Sequence, residues 1–208
     1  WRLAYALLHD AFDGAPHAED LPLFEKGPRD ALRLVRQMLE RDLNAPSAHG
    51  VGRYFDAFGA LGLARPVSSY EGQIAVAWDF AADPSTANAY PFEIDRGAAP
   101  TEIDLRPAVR EMVHDLRRGA RPGAISARFH RTLAQASAEL AETLLADLGP
   151  VPVALTGGVF QNSRLCLGIE SRLANKYEVV RHRQVPPGDG GIAIGQALIA
   201  DAFLGDKG

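Results

Sequence analysis

Two glycine-rich turns near the C-terminus constrain the fold most tightly. Leu155-Thr156-Gly157-Gly158-Val159-Phe160-Gln161-Asn162 follows a continuous apolar run, Val151–Leu155, that is bounded by Pro and Gly. Such a run suits a buried strand. A helical pattern then extends from about Asn162 to Asn175, Glu178–Arg183 alternates as a second strand, and Pro186-Pro187-Gly188 breaks the chain before a final helix starting near Asp189. The order strand, helix, strand, helix predicts a parallel α/β unit, because parallel neighbours need a crossover connection and a helix supplies it.

Upstream, the pattern is mostly helical. Leu3, Ala4, Leu7, Leu8 and Phe12 recur at helical spacing, and Gly14 ends that helix. Residues 14–27 hold two prolines and two glycines and read as loop; Pro28 suits the first turn of a helix with the stripe Leu32, Val35, Leu39, Leu43. After a loop from Asn44 to Gly52, one helix carries Phe55, Phe58, Ala60 and Leu61, and another starts near Ser69 with Ile74, Ala77, Trp78 and Ala81. Residues 83–100 are polar and irregular, with a short strand at Phe92–Ile94 partnered by Thr101–Leu105; helices follow over Pro107–Arg118 and from Pro122 to about Leu148. The expected division is therefore a mainly helical part over residues 1–150 and a β-α-β-α part over 151–208.

Composition narrows the function classes. Hydrophobic residues make up 47% and charged residues 23% of 208, the balance of an ordinary globular chain long enough to bury its own core. The single Cys166 excludes an internal disulfide and a cysteine-based zinc site, and it suits a reducing cytosol. A net charge of −4, with Lys and Arg scattered, argues against a dedicated nucleic-acid surface. No apolar run approaches the ~20 residues of a membrane span, and no signal peptide is visible. The chain opens at Trp1 directly in a helical pattern, which predicts that the natural protein extends further N-terminally.

Three motifs could carry chemistry. The Gly157-Gly158 turn lets a ligand approach the backbone, the following helix N-terminus favours anions, and ligands of open α/β sheets lie beyond the carboxyl ends of strands, where this turn sits. The same residues also suit a tight turn with Asn162 as an ordinary helix cap. Asp189 could cap the last helix or ligate a metal. Gly190 and Gly191 cost about 1 kcal/mol each against Ala in a helix, so close approach of a ligand or of another backbone explains them better than helix stability does. Asp56 lies on a helix of Phe, Ala and Leu, at a solvent edge or paired with Arg53, and Glu71 can be the acid of a helix first turn. The six histidines form no i,i+2 or i,i+4 pair, and Cys166 between Leu165 and Leu167 reads as a core residue.

Together GVGRYFDAFGALGL…SYEGQIA, ALTGGVFQN and VPPGDGGIAIGQA, in this order and preceded by WRLAYALL, resemble the C-terminal region of HypF-type carbamoyltransferases of hydrogenase maturation. The resemblance implies an α/β fold, the second lobe of an actin-like ATPase related to the tRNA threonylcarbamoyl transferases of the TsaD group, with a large helical insertion. It implies that a carbamoyl group passes from carbamoyl-adenylate, made from ATP, to the C-terminal cysteine of a HypE-type partner, as a precursor of the cyanide ligands of nickel–iron hydrogenase. By motif, Gly157, Gly158 and Asn162 would line the adenosine site, Asp56, Glu71 and Gly72 would face ribose and phosphate, and Asp189 would ligate a divalent ion (iron, zinc or magnesium). The family's paired metal-binding histidines lie outside these residues, which predicts little turnover by the 208-residue chain alone. An antibiotic O-carbamoyltransferase shares the module but attacks with a sugar hydroxyl, and a non-catalytic nucleotide-binding module is the rival of a different class. The YEGQ segment departs from the YPGGP pattern of the tRNA-modifying enzymes.

Overall fold

The computed structural model describes residues 1–25, 29–86, 88–149 and 151–205, and the chain divides into two compact units, Trp1–Ala136 and Ser137–Gly208.

The first unit is helical. Helix α1 (Arg2–Ala11) ends where Gly14 takes a left-handed conformation and its N–H returns to the His9 carbonyl at 2.8 Å. The stretch read as loop contains a four-residue helix, α2 (Pro22–Glu25), because Leu23 and Phe24 find cover in the core. Helix α3 (Arg29–Glu40) follows; Pro28 lies outside the described residues. Its apolar stripe is half-buried at Leu32, Val35 and Leu39, whereas Leu43 lies beyond the helix and is exposed. Helix α4 (Val51–Leu63) starts within the residues expected to be loop, and α5 (Gln73–Ala81) starts four residues later than Ser69. The delay has a local cause. Gly72 takes φ +76°, which ends the turn Ser69–Gly72 before helical geometry begins, and the Ser69 N–H donates to Gln73 Oε1 at 2.8 Å. The short strands β1 (Glu93–Asp95) and β2 (Glu102–Asp104) pair antiparallel, as the sequence predicts. Helices α6 (Arg106–Arg117) and α7 (Pro122–Leu148) match their expected spans closely.

Phe129 of α7 is the centre of this core. Its ring meets Phe58 at 4.5 Å, Phe55 edge-on at 5.0 Å and Trp78 at 6.3 Å. Helices α4 and α5 touch closely because α4 presents glycine where α5 presents bulk. A Cβ at Gly59 would lie 2.5 Å from Ile74 Cγ2, and one at Gly62 would run into the Trp78 ring. Beside this apolar centre a polar cluster is buried: the Tyr90 hydroxyl donates to Asp115 Oδ2 at 2.9 Å, and the Arg128 guanidinium lies 3.9 Å over the Tyr90 ring. Burial, then the hydrogen bond to Asp115, pushes the Tyr90 hydroxyl far above its ordinary pKa, so it stays a donor throughout the accessible range.

The second unit is built on β3 (Val153–Leu155) and β4 (Val179–Arg181), which pair parallel with Val153 opposite Val179 and Leu155 opposite Arg181. Helix α8 (Ser163–Leu173) connects them and buries Leu165, Cys166, Ile169 and Leu173. The parallel α/β order is as expected, but β3 is less buried than its apolar run suggests: within the strand only Leu155 is buried. The last helix, α9 (Ile192–Gly205), leaves Ile192, Ile194, Leu198, Ile199, Phe203 and Leu204 between 46% and 74% exposed. No helix among the described residues is long and apolar enough to cross a membrane.

The α4–α5 contact makes a direct prediction. Gly62→Ala forces the Trp78 ring to move and should lower the unfolding free energy by about 1–3 kcal/mol. Gly52→Ala, on the same helix where a Cβ meets nothing within 4 Å, should be neutral or gain up to about 1 kcal/mol. Urea titration of the two variants separates crowding from helix propensity.

Candidate functional site

In the second unit the two glycine turns come together. Gly157 takes φ 107° and ψ 159°, a conformation essentially confined to glycine. There its N–H donates to the Pro187 carbonyl at 2.8 Å, tying the end of β3 to the turn after β4. Gly158–Gln161 then forms one 3-10 turn. Asn162 caps α8, its Oδ1 accepting from the Leu165 N–H at 2.8 Å. A Cβ on Gly188 would sit 3.1 Å from Gly158 Cα and 3.1 Å from Gln161 Nε2, so this glycine lets the turns touch. Gly191 is also required by backbone: a Cβ there would lie 2.7 Å from the Pro186 carbonyl oxygen. The choice left open by the sequence for this glycine, between a ligand and another backbone, thus resolves toward the chain's own backbone.

A pocket of 370 Å³ opens beside these turns, at the carboxyl ends of both strands. Its polar lining is Gln161, Ser163, Arg181, His182 and Arg183; Leu155, Phe160, Cys166 and Pro187 supply apolar surface. Among the described residues no carboxylate lines it. Arg181 is turned to Glu170, 3.6 Å away, and His182 Nε2 lies 2.9 Å from the Thr156 hydroxyl across the strand ends. Cys166 is buried, its thiol donating to the Phe160 carbonyl at 3.2 Å, and burial pushes its pKa upward. It is a core residue, as the sequence indicates, and a poor nucleophile.

The motif residues are distributed as follows. Gly157, Gly158 and Asn162 are not among the residues that line the pocket, and Asn162 spends its oxygen on the helix cap, the plainer of its two sequence readings. Asp189 is exposed on the 3-10 turn Asp189–Gly191 that leads into α9. Among the described residues no group of three His, Cys, Asp or Glu side chains could hold a metal ion. A single carboxylate binds a divalent ion weakly, so these residues do not by themselves fit the metal that the resemblance implies.

In the first unit, Asp56 is half-buried on α4, and Glu71 is exposed in the turn before α5, next to Gly72. Burial raises the Asp56 pKa; the Arg53 guanidinium opposes the rise and the Glu71 carboxylate adds to it. The two acids therefore feel each other. Glu71 precedes the helix and is not an acid of its first turn. The polar pocket residues Arg181, His182 and Arg183 escaped the sequence reading. Their signal was faint, a basic triplet inside an alternating strand just before Pro-Pro-Gly.

A parallel strand pair with ligand-ready turns at its carboxyl ends, attached to a large helical part, is the architecture of an α/β lobe of the actin-like ATPase type. Comparison with known proteins agrees. Residues 1–196 match the family model for the carbamoyltransferase Kae1-like domain, second subdomain. The carbamoyltransferase HypF of Rhodobacter capsulatus is 39% identical over 88% of this chain, and a HypF homolog of Cupriavidus necator is 32% identical over 96%. A crystal structure of full-length HypF in the phosphate- and nucleotide-bound form superposes over 97% of the chain with a TM-score of 0.84 at 29% identity. The chain belongs to the HypF carbamoyltransferase family. It spans 23% and 52% of the lengths of those two relatives and 26% of that crystallised chain.

Asp56 allows a test of sign. A carboxyl whose folded-state pKa stands above its unfolded value binds its proton more tightly in the folded chain. Ionisation therefore costs stability above the folded pKa, and the cost disappears below the ordinary 3.8. Asp56→Asn should raise the melting temperature at neutral pH and leave it unchanged near about pH 3. Thermal melts across that range check it, and a loss of stability at neutral pH would contradict the cause given.

Proposed function

We propose that this chain is the adenylate-binding part of a carbamoyltransferase that carries a carbamoyl group from carbamoyl-adenylate to the C-terminal cysteine thiolate of a HypE-type protein, a step toward the cyanide ligands of nickel–iron hydrogenase. The observation that carries the reading is the union of the two glycine turns by the Gly157–Pro187 hydrogen bond, with a carboxylate-free pocket at the strand ends. Family membership supplies the reaction class, and the HypF relative crystallised with nucleotide supports an adenine nucleotide as ligand.

In this reading Gly157 and Gly158 bring bare backbone to the adenosine, and Asn162 holds the start of α8 beside it. For Asp56, Glu71 and Gly72 a part in nucleotide binding is proposed on the motif alone. The acceptor thiolate attacks the carbamoyl carbon, a C–S bond forms, the bond from that carbon to the phosphate oxygen breaks, and AMP leaves with the electron pair. The nucleophile comes from the partner, which agrees with the burial of Cys166. Asp189 offers one ligand to a divalent ion at most, and no step here depends on such an ion. The chemistry is that of a reducing cytoplasm, where an acceptor cysteine stays a thiol.

The test is calorimetric titration of the full-length protein with AMP and with ATP, beside Gly188→Ala and Asn162→Ala. The Gly188 variant should weaken AMP binding at least about tenfold by parting the turns. Asn162→Ala should lose about 0.5–2 kcal/mol of stability with its cap and weaken AMP as well. Unchanged AMP affinity in both variants would remove the adenylate from these turns.

A further inference from the structure

Three residues of α7, spaced three and four apart, hold the C-terminal end of α5. The Gly123 carbonyl accepts from the Asp83 N–H at 2.9 Å, just past the helix. The Ser126 hydroxyl donates to the Trp78 carbonyl, both residues being fully buried. The His130 ring faces Asp79, with Nε2 3.5 Å from Oδ1. Positions at this spacing share one face of a helix, so the three contacts form one clamp. His130 is its unusual member. It is 2% exposed and sits against aromatic rings, with Phe55 of α4 at 5.3 Å and Phe129 at 5.5 Å. Its Nδ1 lies 2.8 Å from the Ser126 carbonyl oxygen, which can only accept, so Nδ1 carries a proton. The other ring nitrogen then meets a carboxylate, and that contact is attractive only with a proton on Nε2 as well. Asp79 faces the ring from α5, the uncharged Phe55 from α4, and the Ser126 carbonyl and hydroxyl from its own helix.

An ion pair buried in this way gives little net stability, because an apolar side chain of similar volume fills the space without the desolvation. What it supplies is a fixed placement, and the element placed is α5. That helix is nine residues long. Its other end is the turn Ser69–Gly72, closed by the Ser69 N–H bond to Gln73 Oε1. We infer that His130, as the imidazolium partner of Asp79, is a positioning residue for carbamoyl transfer: it locks α5 to α7 and so fixes the turn that carries Glu71 and Gly72, while its ring braces Phe55, the neighbour of Asp56. This rests on the reading that gives those three residues a part in nucleotide binding, and it adds the side chain that holds them in place. His130 touches no substrate and acts through α4 and α5. Placement matters at this scale, since a shift of about 1 Å in a site can cost about a hundredfold.

The experiment takes the full-length protein and its H130L, H130Q, D79A and H130L/D79A variants through AMP titration and thermal melts. H130L should weaken AMP at least about tenfold while the melting temperature stays within about 2–4 °C, since leucine fills the space of the ring. H130Q puts an amide N–H where Nε2 stood and should remain within about threefold of wild type. D79A and the double variant should lose as much AMP affinity as H130L and no more, because each removes the same contact. Ring-nitrogen NMR, with His130 assigned by its absence from H130Q, should show both nitrogens protonated at neutral pH. AMP affinity unchanged in H130L overturns the inference and leaves the adenylate reading standing. A loss that tracks a falling melting temperature, or additive losses in the double variant, makes the role of His130 structural and overturns it as well. A neutral ring removes the ion pair and the inference with it. Wild type that binds no AMP brings down the adenylate reading itself, together with what rests on it.

Discussion

The hydrogen bond from the Gly157 N–H to the Pro187 carbonyl is the constraint on which the second unit's site depends. A two-stranded parallel sheet is joined by its ladder bonds and one crossover helix, so its strand ends need further contacts to hold them together. The 2.8 Å contact closes the carboxyl end. It is possible only because position 157 adopts a glycine conformation and because position 188 carries no side chain to wedge between the turns. Backbone and absence of side chain together shape the cavity, and the polar groups merely decorate it.

The first unit is organised by a different rule. Its helices meet through complementary bulk, with glycines of α4 receiving Ile74 and Trp78, and Phe129 filling the space between. Such packing is rigid and leaves little freedom at the surface from which Asp56 projects. Asp56 stands half-buried on this helix. Burial raises its pKa, a cost in stability when the carboxyl is ionised.

Much of the fold was legible in the sequence for local reasons. Helix α7 lies between Pro122 and Gly149, and the parallel pair was readable from an apolar run, an alternating segment and the breaks between them. What escaped depended on tertiary placement. Helix α2 exists because Leu23 and Phe24 reach the core, which no propensity of a proline-rich stretch announces. Helix α5 starts late because Gly72 chooses a left-handed turn. The glycines of both C-terminal motifs were recognisable, but the division of labour was not. Gly190 and Gly191 read alike on paper, while the tightest backbone approach falls at Gly191. His182 was passed over because it has no histidine neighbour in sequence; its partner Thr156 lies 26 residues away and meets it only through strand pairing. Periodicity reveals elements, whereas pockets arise between elements and carry no period.

The placement of Cys166 gives the molecule a built-in clock. It is the chain's sole thiol, on the buried face of α8 with its proton on the Phe160 carbonyl, and it also lines the cavity. A thiol buried to this degree reacts with a reagent in solution through local openings around it, so the labelling half-life counts those openings. Anything that settles in the cavity must lengthen that half-life by the factor with which it favours the closed form. Occupancy of the site is thereby convertible into time, with no probe attached to the ligand.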